Sequence, residues 1–211
     1  MATADLAGLS AAIQKGNRVE ATRITREAIA GGNVDLRAVL GAMVAAMDDV
    51  GRRFQCNEIF VPEMLIASRA MKESMALIEP LLQQAGIKPA FTAVVGTVQG
   101  DLHDIGKNLV AMMWKGANFG VVDLGTNVTA DRFVAAVREH GARVVGLSAL
   151  LTTTMPAMRE TVAAIKQAGV DGVKVVVGGA PITEGFATEI GADGFAADAA
   201  SAVEVVRQLL A

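Results

Sequence analysis

The sequence predicts an α plus α/β protein whose first part is helical and whose second part alternates strands with helices. Up to about residue 86, apolar side chains recur at three- and four-residue spacing, which is typical of helices with one buried face. After Pro89, short continuous apolar segments alternate with helical ones, as expected for a parallel sheet covered on both faces. The change of pattern predicts two domains, residues 1–88 and 89–211 of the 211-residue chain.

The first part is predicted to be a four-helix bundle. Two long helices each carry a row of apolar side chains along one face: Leu36, Leu40, Met43, Met47, Val50 and Phe54 in one, and Met64, Met71, Met75, Ile78 and Leu82 in the other. Pro62 lies near the start of the second long helix, where a missing amide proton is harmless because first-turn amides have no helical partner. Shorter helices over residues 6–15 and 18–30 complete the bundle, with breaks at residues 31–33 and 86–89.

The second part is predicted to be a flavodoxin-like, Rossmann-type domain with a five-stranded parallel sheet. The predicted strands cover residues 91–96, 120–124, 144–149, 173–177 and 194–196. The predicted helices cover residues 105–115, 130–140, 155–168 and 199–210. Ligands of such sheets bind beyond the carboxyl ends of the strands, so functional residues are expected in the loops that follow them.

The composition excludes several classes of function. Two histidines and one cysteine are too few for a structural zinc module, and one cysteine cannot form a disulfide within the chain. The residues are 52% hydrophobic, yet no segment approaches the roughly 20 consecutive apolar residues of a membrane-spanning helix. The net charge of −3 gives no basic excess for nucleic-acid binding. We therefore expect a cytoplasmic protein that binds neither membranes nor nucleic acid.

The loop after the first predicted strand concentrates glycines, acids and one of the two histidines. It runs from Gly96 to Asn108, and its Gly106-Lys107 pair suggests a phosphate-binding P-loop. That motif needs a glycine where Asp101 stands and a Ser or Thr where Asn108 stands. A carboxylate in the cradle would repel phosphate, so the P-loop interpretation is rejected.

Asp101 and His103 are two residues apart in this loop, so their side chains can lie on the same side of an extended segment. A carboxylate bonded to one imidazole nitrogen fixes the tautomer and leaves the other nitrogen free to bind a metal. The alternative is a helix N-terminus capped by Asp101 or Asp104, with His103 as an ordinary surface residue. These two residues alone leave both interpretations open.

The full segment Gly-Thr-Val-x-Gly-Asp-x-His-Asp-Ile-Gly-Lys-Asn, from Gly96 onward, resembles the corrinoid-binding signature of methionine synthase and of small corrinoid methyl-carrier proteins. The resemblance implies that His103 is the lower axial ligand to cobalt in place of the cofactor's own base, and that Asp101 orients His103. It also implies that Thr154 stands where the family completes its relay with serine. The loop residues implied in cofactor binding are Gly100, Asp101, His103, Asp104, Ile105 and Gly106.

Later strands carry further parts of the same resemblance, which together imply a slot for the displaced nucleotide tail of the cofactor. Family members have Ser-x-Leu after a later strand and a Gly-Gly pair after the next, where absent side chains let the tail approach the backbone. The residues implied here are Ser148, Leu150, Thr152, Gly178, Gly179 and, opening the last helix, Ala199.

The helical part resembles the domain that caps the methyl group in the family. The segment from Val50 to Glu63 is similar to the family's linker between two long helices, with Asn57 where glycine is common. Asparagine adopts a left-handed helix end more readily than other side chains, so this departure is mild. The resemblance implies that Phe54, Val61 and Met64 contact the cofactor, although Met64 also fits a place in the bundle core.

The resemblance as a whole implies a corrinoid protein that carries a methyl group as methylcobalamin and has no catalytic module of its own. Its implied partners are a substrate-specific methyltransferase, a second methyltransferase that passes the methyl group to tetrahydrofolate or coenzyme M, and a reductive activase. Two other functions remain open on the sequence: a cobalamin-dependent sensor, and the small subunit of an adenosylcobalamin mutase. The chain starts directly in the helical part without a DNA-binding segment, which argues against the sensor.

Overall fold

The computed structural model describes residues 5–30 and 35–211, which form two compact units. One comprises the described residues up to Lys88 with Gly116–Asn118, and the other comprises Pro89–Lys115 with Phe119–Ala211. The division at Lys88 is close to the predicted change of pattern. The assignment of residues 1–88 and 89–211 as functional domains stays a prediction, because compactness alone says nothing about function.

The described residues of the first unit form four helices, as the spacing of apolar residues predicts. They are α1 (Leu6–Gln14), α2 (Arg18–Ala30), α3 (Leu36–Gln55) and α4 (Val61–Gln84). Helix α3 begins after Asp35, whose carboxylate accepts from the amides of Arg37 and Ala38. Helix α4 begins with Pro62 in its first turn, and Glu63 accepts from the amide of Phe60. The predicted break at residues 31–33 lies outside the described residues.

The second unit is built on a five-stranded, all-parallel sheet, which confirms the predicted fold class. The strands are β1 (Thr92–Thr97), β2 (Gly120–Asp123), β3 (Val144–Ser148), β4 (Lys174–Gly178) and β5 (Gly194–Phe195). Their order across the sheet is β2-β1-β3-β4-β5. Strand β1 runs one residue beyond its predicted end because Thr97 still pairs with Ser148 of β3.

The helices of this unit are α5 (Ile105–Gly116), α6 (Ala130–His140), α7 (Met155–Gln167), α8 (Glu184–Glu189) and α9 (Ser201–Leu210). The sequence prediction missed α8, since six residues are too few to show a helical period. Helix α9 begins two residues later than predicted because Asp198 accepts from the amides of Ala200 and Ser201 and fixes its start. A short 3-10 helix, Thr152–Thr154, precedes α7.

The core of the second unit lies between the sheet and its helices, with Val94, Val145 and Val175 on neighbouring strands fully buried. Trp114 of α5 is 0% exposed, and its indole nitrogen donates to the Ala202 carbonyl at 3.1 Å. None of the helices within residues 5–30 and 35–211 is long and apolar enough to cross a bilayer.

This topology decides which loops meet. Strand β1 lies between β2 and β3, so the loops after these three strands share one edge of the sheet. Because all strands are parallel, their carboxyl ends point the same way and their loops form one continuous surface. The loop singled out in the sequence, which follows β1, is at the centre of that edge.

Candidate functional site

The loop between β1 and α5 is held by bonds to the neighbouring strands and to itself. The amide of Val98 donates to the Ser148 carbonyl at 3.0 Å, and the amide of Thr97 donates to the Gly125 carbonyl at 2.9 Å. The buried hydroxyl of Thr97 donates to the His103 carbonyl at 2.8 Å, which folds the far end of the loop back onto the strand end. The backbone that carries His103 is therefore fixed by the sheet.

Asp101 is at the centre of the site, with a carboxylate that is 0% exposed and accepts four hydrogen bonds. One oxygen, Oδ1, accepts from the amide of His103 at 3.0 Å and faces Nδ1 of the same imidazole at 2.8 Å. The other, Oδ2, accepts from the amide of Leu150 at 2.7 Å and from the hydroxyl of Thr154 at 3.0 Å. The predicted juxtaposition of Asp101, His103 and Thr154 is thus present.

These bonds determine the charge of the carboxyl group. Burial opposes its ionisation, but the donors from the His103 and Leu150 amides and from the His103 and Thr154 side chains outweigh that cost. They hold the pKa of Asp101 well below its usual range. At neutral pH Asp101 is therefore an ionised, acceptor-only group.

An ionised Asp101 defines the tautomer of His103. Because the carboxylate can only accept, Nδ1 of the ring must carry the proton, and in a neutral imidazole Nε2 then keeps its lone pair. The His103 side chain is 51% exposed, so the ring that carries this nitrogen is accessible. The arrangement is that of a metal-binding histidine oriented by a carboxylate.

The surroundings of His103 suit a large and partly apolar ligand. Four of the seven exposed large hydrophobic side chains among the described residues lie in the loops after β1 and β3 or at the first position of α5: Leu102, Ile105, Leu150 and Leu151. A Cβ built on Gly106 would meet no atom within 4 Å, so space beside the first turn of α5 is open. Within residues 5–30 and 35–211 no group of three or more His, Cys, Asp or Glu side chains is placed to bind a metal. A metal held here would need most of its ligands from its own cofactor.

Three polar residues of this edge were missed by the sequence reasoning. Asn127, in the loop after β2, has a positive φ of 54° and accepts from the Gly100 amide at 2.8 Å. Lys107 of α5 is 3% exposed and donates to both carboxylate oxygens of Asp123, at 2.7 and 2.6 Å. Lys107 belongs to the motif segment, but of the Gly106-Lys107 pair only Gly106 was among the residues implied in cofactor binding.

The Lys107–Asp123 pair affects the ionisation of Asp123. Burial opposes the charge of Asp123, but the Lys107 ammonium and the Gly125 amide outweigh it and lower the pKa of this carboxyl. Lys107 also donates to Asn108, whose amide group donates to Asp104 at 3.0 Å. The polar face at the start of α5 is thereby joined to the end of β2.

The residues implied in tail binding are arranged around the ends of β3 and β4. Thr152 and Leu150 are exposed, Ser148 is half-buried, and Gly178 ends β4. A Cβ on Gly179 would lie 1.9 Å from the Ala149 carbonyl oxygen, and one on Gly178 would lie 2.8 Å from that of Ala196. Close packing of neighbouring backbones therefore requires both glycines. This requirement is independent of the expected approach of a cofactor tail to the same backbone.

The remaining implied residues are less exposed. Ala199 is 6% exposed and precedes helix α9 rather than opening it, which corrects its predicted place. In the first unit, Met64 is 1% exposed and part of the bundle core, whereas Phe54 and Val61 are half-buried. Contacts of these four residues with a cofactor stay predictions.

Two family models match the chain. Residues 91–207 match a B12 binding domain, and residues 6–79 match a second B12 binding domain model. The first match alone covers more than half of the chain. The chain belongs to the B12-binding corrinoid proteins.

Curated relatives agree with this assignment. The corrinoid protein is 40% identical over 176 residues to a corrinoid protein of Desulfitobacterium hafniense, with 82% of each chain covered. It is 39% identical over 193 residues to the trimethylamine corrinoid protein of Methanosarcina barkeri, covering 90% of this chain and 89% of that one.

Solved structures agree with it as well. A cobalamin-binding protein from Desulfitobacterium hafniense superposes with a TM-score of 0.81 at 31% identity, covering 98% of this chain and 99% of that one. The methanol:cobalamin methyltransferase complex of Methanosarcina barkeri contains a chain that superposes with a TM-score of 0.83 at 27% identity, covering 97% of this chain and 79% of that one.

The cofactor of this corrinoid protein is a cobalamin, and the residues present fit it. A corrin ring supplies four nitrogen ligands to cobalt itself, and His103 presents one imidazole nitrogen whose lone pair is free. The exposed Leu102 and Ile105 provide apolar surface in the same segment of the chain. A cofactor that brings most ligands of its own metal needs no cluster of three or more ligating side chains, and none is found among the described residues.

Proposed function

We propose that this chain carries a methyl group between two methyltransferases on a cobalamin whose own base is displaced and replaced by His103. One partner is a methyltransferase specific for the methyl donor, and the other passes the methyl group to tetrahydrofolate or coenzyme M. The bound cobalamin supplies a cobalt centre that accepts and releases methyl groups. In the same proposal, residues 1–88 form the cap and residues 89–211 the cofactor-binding domain.

The observation that carries the proposal is the contact of 2.8 Å between Nδ1 of His103 and Oδ1 of Asp101. It leaves Nε2 as the one free nitrogen of a half-exposed histidine whose segment also carries the exposed Leu102 and Ile105. A surface histidine with no ligand needs no buried carboxylate to define its tautomer. The four donors on Asp101 support a role in orienting His103 rather than in capping a helix.

The chain's own residues would orient the imidazole toward the cofactor. The Asp101 carboxylate would hold the proton on Nδ1 of His103 and so keep Nε2 available. The Thr154 hydroxyl donates to Oδ2 of Asp101 and shares its charge. Threonine thus performs here the hydrogen bond for which the resemblance expects a serine.

The partner assignment rests on the relatives. The similar curated proteins are named for trimethylamine and dimethylamine, and a similar solved chain is part of a methanol:cobalamin methyltransferase complex. These names favour a methyl carrier over a sensor or a mutase subunit. The proposal also includes a reductive activase as a partner. It places the protein in the cytoplasm, because the single cysteine, Cys56, is an exposed free thiol that suits a reducing compartment.

Electron paramagnetic resonance of the Co(II) form tests the axial ligand directly. One nitrogen below cobalt splits the signal into triplets, and histidine labelled with the heavy nitrogen isotope changes them to doublets only if the ligand comes from the protein. We expect doublets for the labelled wild type and for His140→Gln, which removes the other histidine. Triplets in the labelled wild type, or doublets that persist in His103→Ala, would refute the axial role.

A separate experiment distinguishes the carrier from the sensor. A light-responsive sensor loaded with adenosylcobalamin changes its oligomeric state on illumination, whereas a carrier has no reason to do so. We expect the elution volume in size-exclusion chromatography to be the same in the dark and after illumination. A light-dependent change would favour the sensor.

A further inference from the structure

The loop after β2 contacts the β1 loop at the Gly100 amide and at the Asp101 carbonyl. The side-chain oxygen of Asn127 accepts from the Gly100 amide at 2.8 Å, and the Asn127 amide donates to the Asp101 carbonyl at 2.9 Å. Asn127 therefore binds the peptide groups that flank the Gly100-Asp101 pair, through the Gly100 amide on one side and the Asp101 carbonyl on the other. Neither bond involves the Asp101 carboxylate, which is occupied by His103, Leu150 and Thr154.

The backbone of Asn127 makes this double contact possible. Its φ of 54° lies in the left-handed region, which Asn and Asp adopt more readily than other side chains and which Gly adopts freely. Glycine would give the same backbone without the side-chain oxygen. Asn and Asp alone combine a tolerance for this conformation with an oxygen acceptor directed at Gly100.

We infer that Asn127 is a positioning residue for the cobalt ligand: it fixes the Asp101 backbone so that the carboxylate keeps Nδ1 of His103 protonated and Nε2 free. This inference rests on the proposed role of His103 as axial ligand. Asp101 makes its four bonds at 2.7 to 3.0 Å, so displacement of its backbone misaligns them together. The His103 bond is the one of these that involves an exposed partner ring, so it is lost first.

Three variants separate the acceptor from the backbone conformation. Asn127→Gly keeps the left-handed backbone and removes the oxygen, whereas Asn127→Asp keeps an oxygen that accepts from Gly100. Asn118→Gly is the matched control, because Asn118 has a positive φ of 62° and lies before β2, away from the β1 loop. Each variant is made in the full chain.

Two measurements are made on each variant. In the cobalamin-free protein, nitrogen NMR shifts of labelled histidine give the ratio of the Nδ1–H to the Nε2–H tautomer of the neutral His103 ring. In the cobalamin-loaded Co(II) form, electron paramagnetic resonance gives the ratio of centres that have a protein nitrogen below cobalt to centres that lack one. A merely structural residue would change the unfolding midpoint and leave both ratios alone.

We expect Asn127→Gly to lower both ratios about threefold or more, the usual effect of one lost hydrogen bond, while Asn127→Asp and Asn118→Gly keep them at the wild-type level. Wild-type ratios in Asn127→Gly, or equal losses in Asn127→Asp and Asn127→Gly, would overturn the inference. If the wild type lacks a protein nitrogen on cobalt but the tautomer ratio still falls in Asn127→Gly, the positioning role stands and the axial role of His103 fails.

Discussion

Replacing Asp101 by asparagine tests the central element of the site, because the substitution preserves size and removes one acceptor and the charge. The carboxylate has two oxygens that each accept two bonds. An asparagine retains one oxygen, which can still accept from one pair of donors. Its NH2 group is itself a donor and cannot accept from the other pair. Two bonds to a buried charge are lost, each worth about 1.5 kcal/mol or more, so the unfolding free energy should fall by about 3 kcal/mol.

Urea unfolding of the cobalamin-free protein measures this loss. Trp114 is the chain's one tryptophan and the chain has no tyrosine, so its fluorescence reports the second unit, where it is fully buried. The matched control is Asp104→Asn. It removes the same charge from a side chain that is exposed and lies three residues after Asp101. A loss in Asp101→Asn no larger than that in Asp104→Asn would refute the reasoning.

The difference in unfolding free energy between the wild type and Asp101→Asn should depend on pH, which gives a second test of the same prediction. The pKa of Asp101 is lowered by folding, so its stabilisation is complete above the ordinary aspartate pKa of about 4 and declines as the unfolded chain takes up the proton. The gap in unfolding free energy between wild type and Asp101→Asn should be constant from neutral pH to about pH 4 and shrink below it. A gap that does not change down to about pH 3 would contradict the ionised state of the buried carboxyl.

Three further predictions concern groups outside the Asp101 contacts. Lys107→Met should raise the pKa of Asp123, which a carboxyl NMR titration measures; an unchanged pKa would show that the ion pair does not hold the charge. Ser74→Ala should leave the unfolding free energy unchanged or raise it by up to about 1 kcal/mol in circular dichroism melts, because this buried hydroxyl has no partner among the described residues; a clear loss would reveal one. Gly179→Ala should prevent folding or lower the unfolding free energy by more than about 3 kcal/mol, because its Cβ would clash with the Ala149 carbonyl. Gly125→Ala, at a positive φ but with open space around it, should lower the unfolding free energy by about 1 kcal/mol, and equal losses in the two variants would refute the clash.

The fold could be predicted from the sequence because its signals are local. The three- and four-residue spacing of apolar side chains defines α3 and α4, and continuous apolar segments define the strands. The prediction failed where an element is short or its end depends on distant pairing. Helix α8 is an example of the first, and the last residue of β1, which pairs with Ser148, is an example of the second.

The candidate site could be predicted in the part that lies within one loop. Asp101 and His103 are close in sequence, so their contact follows from local geometry. The bond from the Leu150 amide spans 49 residues and the bond from Gly100 to Asn127 spans 27, and both depend on the strand order β2-β1-β3. The motif resemblance identified Thr154 and Leu150 as site residues. It did not predict that Leu150 contacts Asp101 through its backbone amide.

The way His103 is attached has a consequence for altering this protein. Its backbone is held through its amide and carbonyl, by Asp101 and Thr97, and neither bond needs the imidazole. The side chain is half-exposed, so little packing depends on it. In the proposed role, His103 is therefore a replaceable ligand on a backbone frame held by Asp101 and Thr97: cysteine or methionine at this position would leave the fold unaltered and change the electron donation to cobalt. Asp101, which makes the frame, permits no such exchange.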